Sequence, residues 1–247
     1  MSYFAANSIG TPMIFNFTPF ASMKRLSITF LALTLLIMTA SFTTNPPKKI
    51  VFFGDSITEM GVQEGGYIDL IRKKLIANHQ ENQYELIGAG IGGNKIYDLY
   101  FRLEKDVLEL RPDVVFIFVG VNDVWHKDDF GTGTDADRFE RFYTAIIEKI
   151  KAQGAEVICV TPAVIGEKTD FSNPQDGDLN EYSKIVRQIV TNTSSQLIDL
   201  RKTFLDYNLT NNPGNLDRGI LTTDRVHLNQ AGNELVAELF LQAFNSF

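Results

Sequence analysis

Ile50-Val51-Phe52-Phe53-Gly54-Asp55-Ser56-Ile57-Thr58 is a short, continuously apolar run that stops at glycine and passes into polar residues. A run of that length without polar alternation is the pattern of a strand covered on both faces. Four further runs of the kind follow, at residues 84–87, 114–119, 156–161 and 196–200. Amphipathic segments lie between them. Phe139, Phe142, Tyr143, Ile146, Ile147 and Ile150 recur on one helix face, with Thr134 and Asp137 spaced to cap its start. Tyr182, Ile185, Val186, Ile189 and Val190 make a second such face, and Leu235, Val236, Leu239, Phe240, Ala243 and Phe244 a third. Strands alternating with helices predict an α/β fold, a five-stranded parallel sheet between helix layers. Ligands of such sheets sit beyond the carboxyl ends of the strands, so the chemistry is expected in the segments that follow each strand.

Outward from this core, composition narrows the classes. The chain has 247 residues, enough for one domain of about 200 residues with an appendage. A net charge of −7 without any basic stretch argues against a nucleic-acid partner. Cys159 is the only cysteine, so the chain can form neither an internal disulfide nor a cysteine-based zinc site. It stands within Val157-Ile158-Cys159-Val160 and reads as a small buried hydrophobe.

Residues 1–44 read as an N-terminal extension and signal peptide, and residues 45–247 as the folded domain. Lys24 and Arg25 precede an apolar run, Leu26 to Ala40, with the small residues Thr39, Ala40 and Ser41 at its end. The run is shorter than the roughly 20 residues of a membrane span. A periplasmic or secreted protein with no stable membrane insertion is therefore expected; anchoring by an uncleaved signal is the alternative. The basic pair placed just after Met23 makes that methionine a candidate true start. Cleavage would remove only Lys24 and Arg25 among the charged side chains, leaving a net charge of −9.

Four segments at strand or helix ends carry polar or glycine residues: Gly54-Asp55-Ser56, Gly88-Ala89-Gly90-Ile91-Gly92-Gly93-Asn94, Gly120-Val121-Asn122-Asp123 and Asp224-Arg225-Val226-His227. Each alone reads as a turn, a cap or a surface pair. Together they supply acyl transfer. Ser56 can attack, His227 can take its proton, and Asp224 can hold the other ring nitrogen. The N–H groups of Ser56 and Gly93 and the amide of Asn122 can donate to an oxyanion. Of the other histidines, His79 lies in a polar stretch, and His126, beside Trp125, reads as a loop residue at a pocket wall or the surface. Asp55 is expected to hold the turn rather than serve as the triad acid.

These four blocks, in this order from Ile50 to the C-terminus, resemble the SGNH-type (GDSL-like) esterase/lipase family. The first block falls on Gly54–Thr58 with the nucleophile at Ser56, the second-block glycine on Gly93, the third-block asparagine on Asn122, and Asp-x-x-His on Asp224 and His227. The chain departs from the family at Gly88, where asparagine is common. The resemblance implies a flavodoxin-like three-layer α/β/α sandwich, the SGNH hydrolase fold, and no cofactor.

Competing readings are weaker. Gly88, Gly90 and Gly93 also spell the dinucleotide fingerprint, but after the second strand, and no acidic residue ends a strand about 20 residues on. Asp55, Asp123, Asp224 and His227 could form a metal hydrolase site, yet no second histidine joins them. A non-catalytic carbohydrate-binding protein is opposed by the filled catalytic positions. Within the family, a lysophospholipase or thioesterase is the alternative to a short-chain esterase. An acidic exported chain without an apolar lid points to a short acyl group, acetyl on a sugar or glycan, with residues 125–133 and 164–177 as substrate walls. The sequence does not speak to oligomeric state.

Overall fold

The computed structural model describes residues 10, 12–14 and 46–247. The chain divides into a unit Met1–Pro46 and a unit Pro47–Phe247. The expected signal segment lies outside the described residues. The second unit carries the sheet: β1 (Lys48–Gly54), β2 (Tyr84–Gly90), β3 (Val114–Phe118), β4 (Glu156–Val160) and β5 (Gln196–Ile198). All neighbours pair in parallel, in the order β2-β1-β3-β4-β5. That is the flavodoxin-like order, whose switch point lies between β1 and β3.

Successive strand residues point to opposite faces, which explains the unbroken apolar runs. On one face Phe52 and Phe116 stack at 5.0 Å, and Phe240 stacks on Phe116 at 5.0 Å. Phe240 comes from the C-terminal helix Gln230–Ala243, and Tyr67, from helix Tyr67–Ala77, meets it edge-on at 5.2 Å. On the other face Tyr143 donates its hydroxyl to the Ile117 carbonyl (3.1 Å), and the guanidinium of Arg102 lies 4.5 Å from the Phe53 ring centre. These side chains belong to helices Ala136–Ala152 and Ile96–Asp106. In chain order the helices are α1 (Ser56–Gly61), α2 (Tyr67–Ala77), α3 (Ile96–Asp106), α4 (Val121–Phe130), α5 (Ala136–Ala152), α6 (Asp176–Thr193), α7 (Leu200–Asn211) and α8 (Gln230–Ala243). The three-layer α/β/α sandwich is the one expected.

Four local readings change. Gly88 and Gly90 belong to β2 rather than to a loop after it. A Cβ on Gly90 would lie 2.1 Å from the Glu59 nitrogen, and one on Gly88 2.2 Å from Val62 Cγ1, so these glycines let α1 and the turn after it press against the edge strand. Residues 125–130, expected in a loop, are helical in α4; only its first turn is buried, so no apolar stripe announces it. The last residues expected in the fifth strand open α7 instead, with the Asp199 side chain accepting from the Lys202 N–H. Thr134 does not cap α5: Asp135 takes the N-cap position, and the Thr134 N–H donates to the Asp123 carbonyl (3.1 Å). Cys159 is fully buried in β4, and burial pushes its thiol up to about 12.

Candidate active site

β1 and β3 flank the switch point, and each delivers a site residue at its carboxyl end. β1 ends at Gly54, a position closed to any side chain: a Cβ there would meet the Phe118 carbonyl at 2.4 Å and Thr58 Oγ1 at 2.3 Å. Asp55 follows as the N-cap of α1, its Oδ1 accepting from the Ile57 N–H (3.0 Å). Ser56 therefore opens α1, half-buried, with its backbone N–H among those that a helix start leaves unpaired along its own axis. After β3, Gly120 takes φ +128° and starts α4, which places Asn122 in the buried first turn.

The Asp-x-x-His segment folds on itself before α8. The Thr223 N–H donates to the His227 carbonyl (2.8 Å), and Asp224 Oδ1 accepts from the N–H groups of Val226 (3.1 Å) and His227 (2.8 Å). The chain reversal puts Arg225 at φ +91°, a backbone region that a non-glycine residue rarely occupies. The loop is held from outside by Glu167, buried, whose two carboxylate oxygens accept from the Ile220 and Leu221 N–H groups (2.8 and 2.7 Å). The segment 164–177 is thus a scaffold over its first half, where Val164, Ile165 and Glu167 are buried, rather than a free substrate wall.

The fold brings Asp224, His227 and Ser56 into a line. His227 Nδ1 lies 2.7 Å from Asp224 Oδ2, and His227 Nε2 lies 2.9 Å from Ser56 Oγ. Partial burial opposes charge on Asp224, but the hydrogen bonds from the His227 ring and from the His227 and Val226 N–H groups outweigh it and hold the carboxyl below its ordinary range. An ionised carboxylate only accepts, so Nδ1 carries the imidazole proton and Nε2 is left to accept from the serine hydroxyl.

Asn122 and Gly93 meet on the same side. Asn122 Nδ2 donates one hydrogen to the Asn94 carbonyl (3.1 Å), which fixes the amide and leaves its second hydrogen to spare. Gly93 has φ +76°, and its carbonyl accepts from the Lys95 ammonium (3.0 Å). The loop passes over the serine: a Cβ on Gly92 would lie 3.9 Å from Ser56 Cβ. A Cβ on Gly93 would lie 3.9 Å from His126 Cε1, so His126, carried by α4, packs beside the glycine loop. Burial and the nearby Lys95 charge hold its pKa below the ordinary histidine value. Trp125 sets its ring 6.5 Å from that of His227.

Asp55 and Asp123 take no place in that line. Both are buried, Asp55 on the Ile57 N–H and Asp123 on the Ile96 N–H (3.1 Å). Among the described residues, no group of three or more His, Cys, Asp or Glu is arranged to hold a metal ion. Sequence reasoning missed Arg102, Lys95 and Glu167. Each is a charged residue in a segment without a motif, and only the fold reveals that each binds a backbone carbonyl or N–H of a site loop.

Residues 52–235 match the model of the GDSL-like lipase/acylhydrolase family. The protein belongs to that family and is a carboxylic ester hydrolase. An acetylxylan esterase of Geobacillus stearothermophilus is 31% identical over 211 residues, which span 79% of this chain and 93% of that one. Among solved structures, the acetyl xylan esterase AlAXEase is 62% identical with a TM-score of 0.78, covering 79% of this chain and 98% of its own. The uncharacterized lipoprotein YqeF of Bacillus subtilis is 24% identical, over 87% of this chain and 96% of its own.

Proposed function

We propose that this esterase removes acetyl groups from acetylated carbohydrates through an acyl-enzyme formed on Ser56. The single observation that carries the reading is the hydrogen-bonded line from Asp224 through His227 to Ser56, at 2.7 and 2.9 Å. Ser56 Oγ attacks the acetyl carbonyl while its proton passes to His227 Nε2. Asp224 keeps the imidazole in the tautomer that can accept it and stabilises the imidazolium. The Ser56 and Gly93 N–H groups and the free amide hydrogen of Asn122 receive the oxyanion. As the acyl C–O bond breaks, His227 gives the proton to the departing sugar oxygen, which leaves as the alcohol, and a water deprotonated by the same base hydrolyses the acetyl-serine to acetate and free Ser56.

The carbohydrate part of the reading is supported by the relatives described as acetylxylan esterases. The export expected from residues 23–41 is proposed with it; no helix among the described residues is long and apolar enough to cross a membrane. The mechanism is tested by labelling with a fluorophosphonate and mapping the adduct. Modification at Ser56 is expected, and modification at another serine would sink the assignment. Acyl preference is tested with p-nitrophenyl esters of increasing chain length beside acetylated xylo-oligosaccharides. Activity should peak at acetyl; a peak at long acyl chains or at thioesters would replace the substrate class.

A further inference from the structure

We propose that Arg102 is a positioning residue that locks the serine and the oxyanion loop to one another; the inference rests on the site proposed above. Arg102 lies on α3 and is mostly buried, its side chain 13% exposed. Its Nη2 donates to the carbonyls of Gly54 (2.7 Å) and Ala89 (3.0 Å), its Nε to Asn94 Oδ1 (2.8 Å), and its Nη1 to Asp106 (2.8 Å). Four of the five guanidinium hydrogens are therefore used. Gly54 stands two residues before Ser56, Ala89 near the end of β2, and Asn94 directly after Gly93. One planar group thus ties together the end of the nucleophile's strand, the neighbouring strand and the loop that donates to the oxyanion.

Asn94 is the link through which that tie reaches the reacting centre. Its side chain is held by Arg102, while its carbonyl accepts from the Asn122 amide (3.1 Å). The bond to Asn94 fixes the loop, and the loop in turn orients the two donors that face Ser56. The Phe53 ring centre lies 4.5 Å from the guanidinium carbon, a cation–π contact that adds to the four hydrogen bonds in holding the group. A lysine at this position keeps the charge but cannot make four directed bonds from a fork. Asp106, four residues on along the same helix, anchors the far side of the group.

Misplacing an oxyanion donor harms the transition state, where the oxygen is charged, far more than substrate binding. Arg102→Ala and Arg102→Lys should each lower kcat on p-nitrophenyl acetate by about 10²-fold with KM within about 3-fold. Phenylboronic acid, whose serine adduct is tetrahedral, should bind more weakly by a similar factor. Assays run well below the unfolding midpoint of each variant separate this from lost stability, which alone would leave kcat and boronate affinity unchanged. Asn94→Ala removes only the link to the loop and should lower kcat about 10-fold, and it decides the matter if the Arg102 variants do not fold. Wild-type kcat and boronate affinity in folded Arg102 variants, or in Asn94→Ala, would overturn the proposal. Ser56→Ala run in parallel separates the two levels. If it stays active, the site reading fails; if it is inactive while the Arg102 and Asn94 variants match wild type, only the positioning role fails.

Discussion

Asp55 and Asp224 both lie close to Ser56, one by sequence and one through His227, and their surroundings push them in opposite directions. Burial raises Asp55 to about 7, with the nearby Asp123 adding to the shift against the pull of the Ile57 N–H. Asp224 is held below its ordinary range by the groups that hydrogen-bond to it. Only the second is ionised throughout the range in which an imidazole works as a base. Asp224→Asn should therefore lower kcat by about 10³-fold, because asparagine no longer fixes the tautomer. Asp55→Asn keeps an acceptor for the Ile57 N–H and a good N-cap, and should cost less than about 10-fold. The reverse ranking in steady-state assays would move the orienting role to Asp55. Asn122→Ala should lower kcat by about 10²–10³-fold with KM little changed. Asn122→Asp should be slower still at neutral pH, since a carboxylate would face both the oxyanion and the Asn94 carbonyl that Asn122 now satisfies. An Asn122→Asp enzyme as fast as wild type would remove Asn122 from the chemistry.

At the scale of elements, the joint between α3 and α4 is a buried carboxylate. Asp123, in the first turn of α4, accepts from the N–H of Ile96, the first residue of α3. Burial raises its pKa to about 7 against the pull of its hydrogen bonds and of Lys95. A carboxyl whose pKa is raised on folding binds its proton more tightly in the folded chain. Its contribution to stability is present below the unfolded value of about 4 and is lost as pH rises through about 7. The unfolding free energy from urea titrations should thus fall between pH 5 and pH 8 in the wild type, by an amount on the order of a few kcal/mol from Asp55 and Asp123 together. Asp123→Asn should show a shallower fall across that window; an identical slope would mean that Asp123 does not titrate there. The same joint shows where sequence reading stops. Ser56, Gly93, Asn122, Asp224 and His227 are legible because each stands in a short motif at a strand or helix end. Arg102 is not, because Arg102 and Asp106 at i, i+4 look like any surface ion pair until α3 is laid against the sheet. Most of α4 reads as a loop because its first buried turn is Val-Asn-Asp-Val and the remainder is largely polar.

At the scale of the molecule, the parallel order β2-β1-β3-β4-β5 follows from strands whose apolar runs needed cover on both faces. The order in turn creates the switch point at which Ser56 and Asn122 emerge side by side. Around that point the Gly92-Gly93 loop passes over Ser56, and the Trp125 ring stands 6.5 Å from that of His227. Export is a separate expectation, checked by the intact mass of protein recovered outside the cytoplasm. A mature chain that has lost Lys24 and Arg25 is expected, and a chain retaining them would mean that the segment is not removed. The most direct test of the account is acetate release from acetylated xylo-oligosaccharides by wild type and Ser56→Ala at equal concentration. Wild type should release acetate, and Ser56→Ala, with unchanged circular dichroism, should be slower by roughly 10⁴-fold or more. Comparable release by the folded Ser56→Ala protein, or none by wild type, would contradict it.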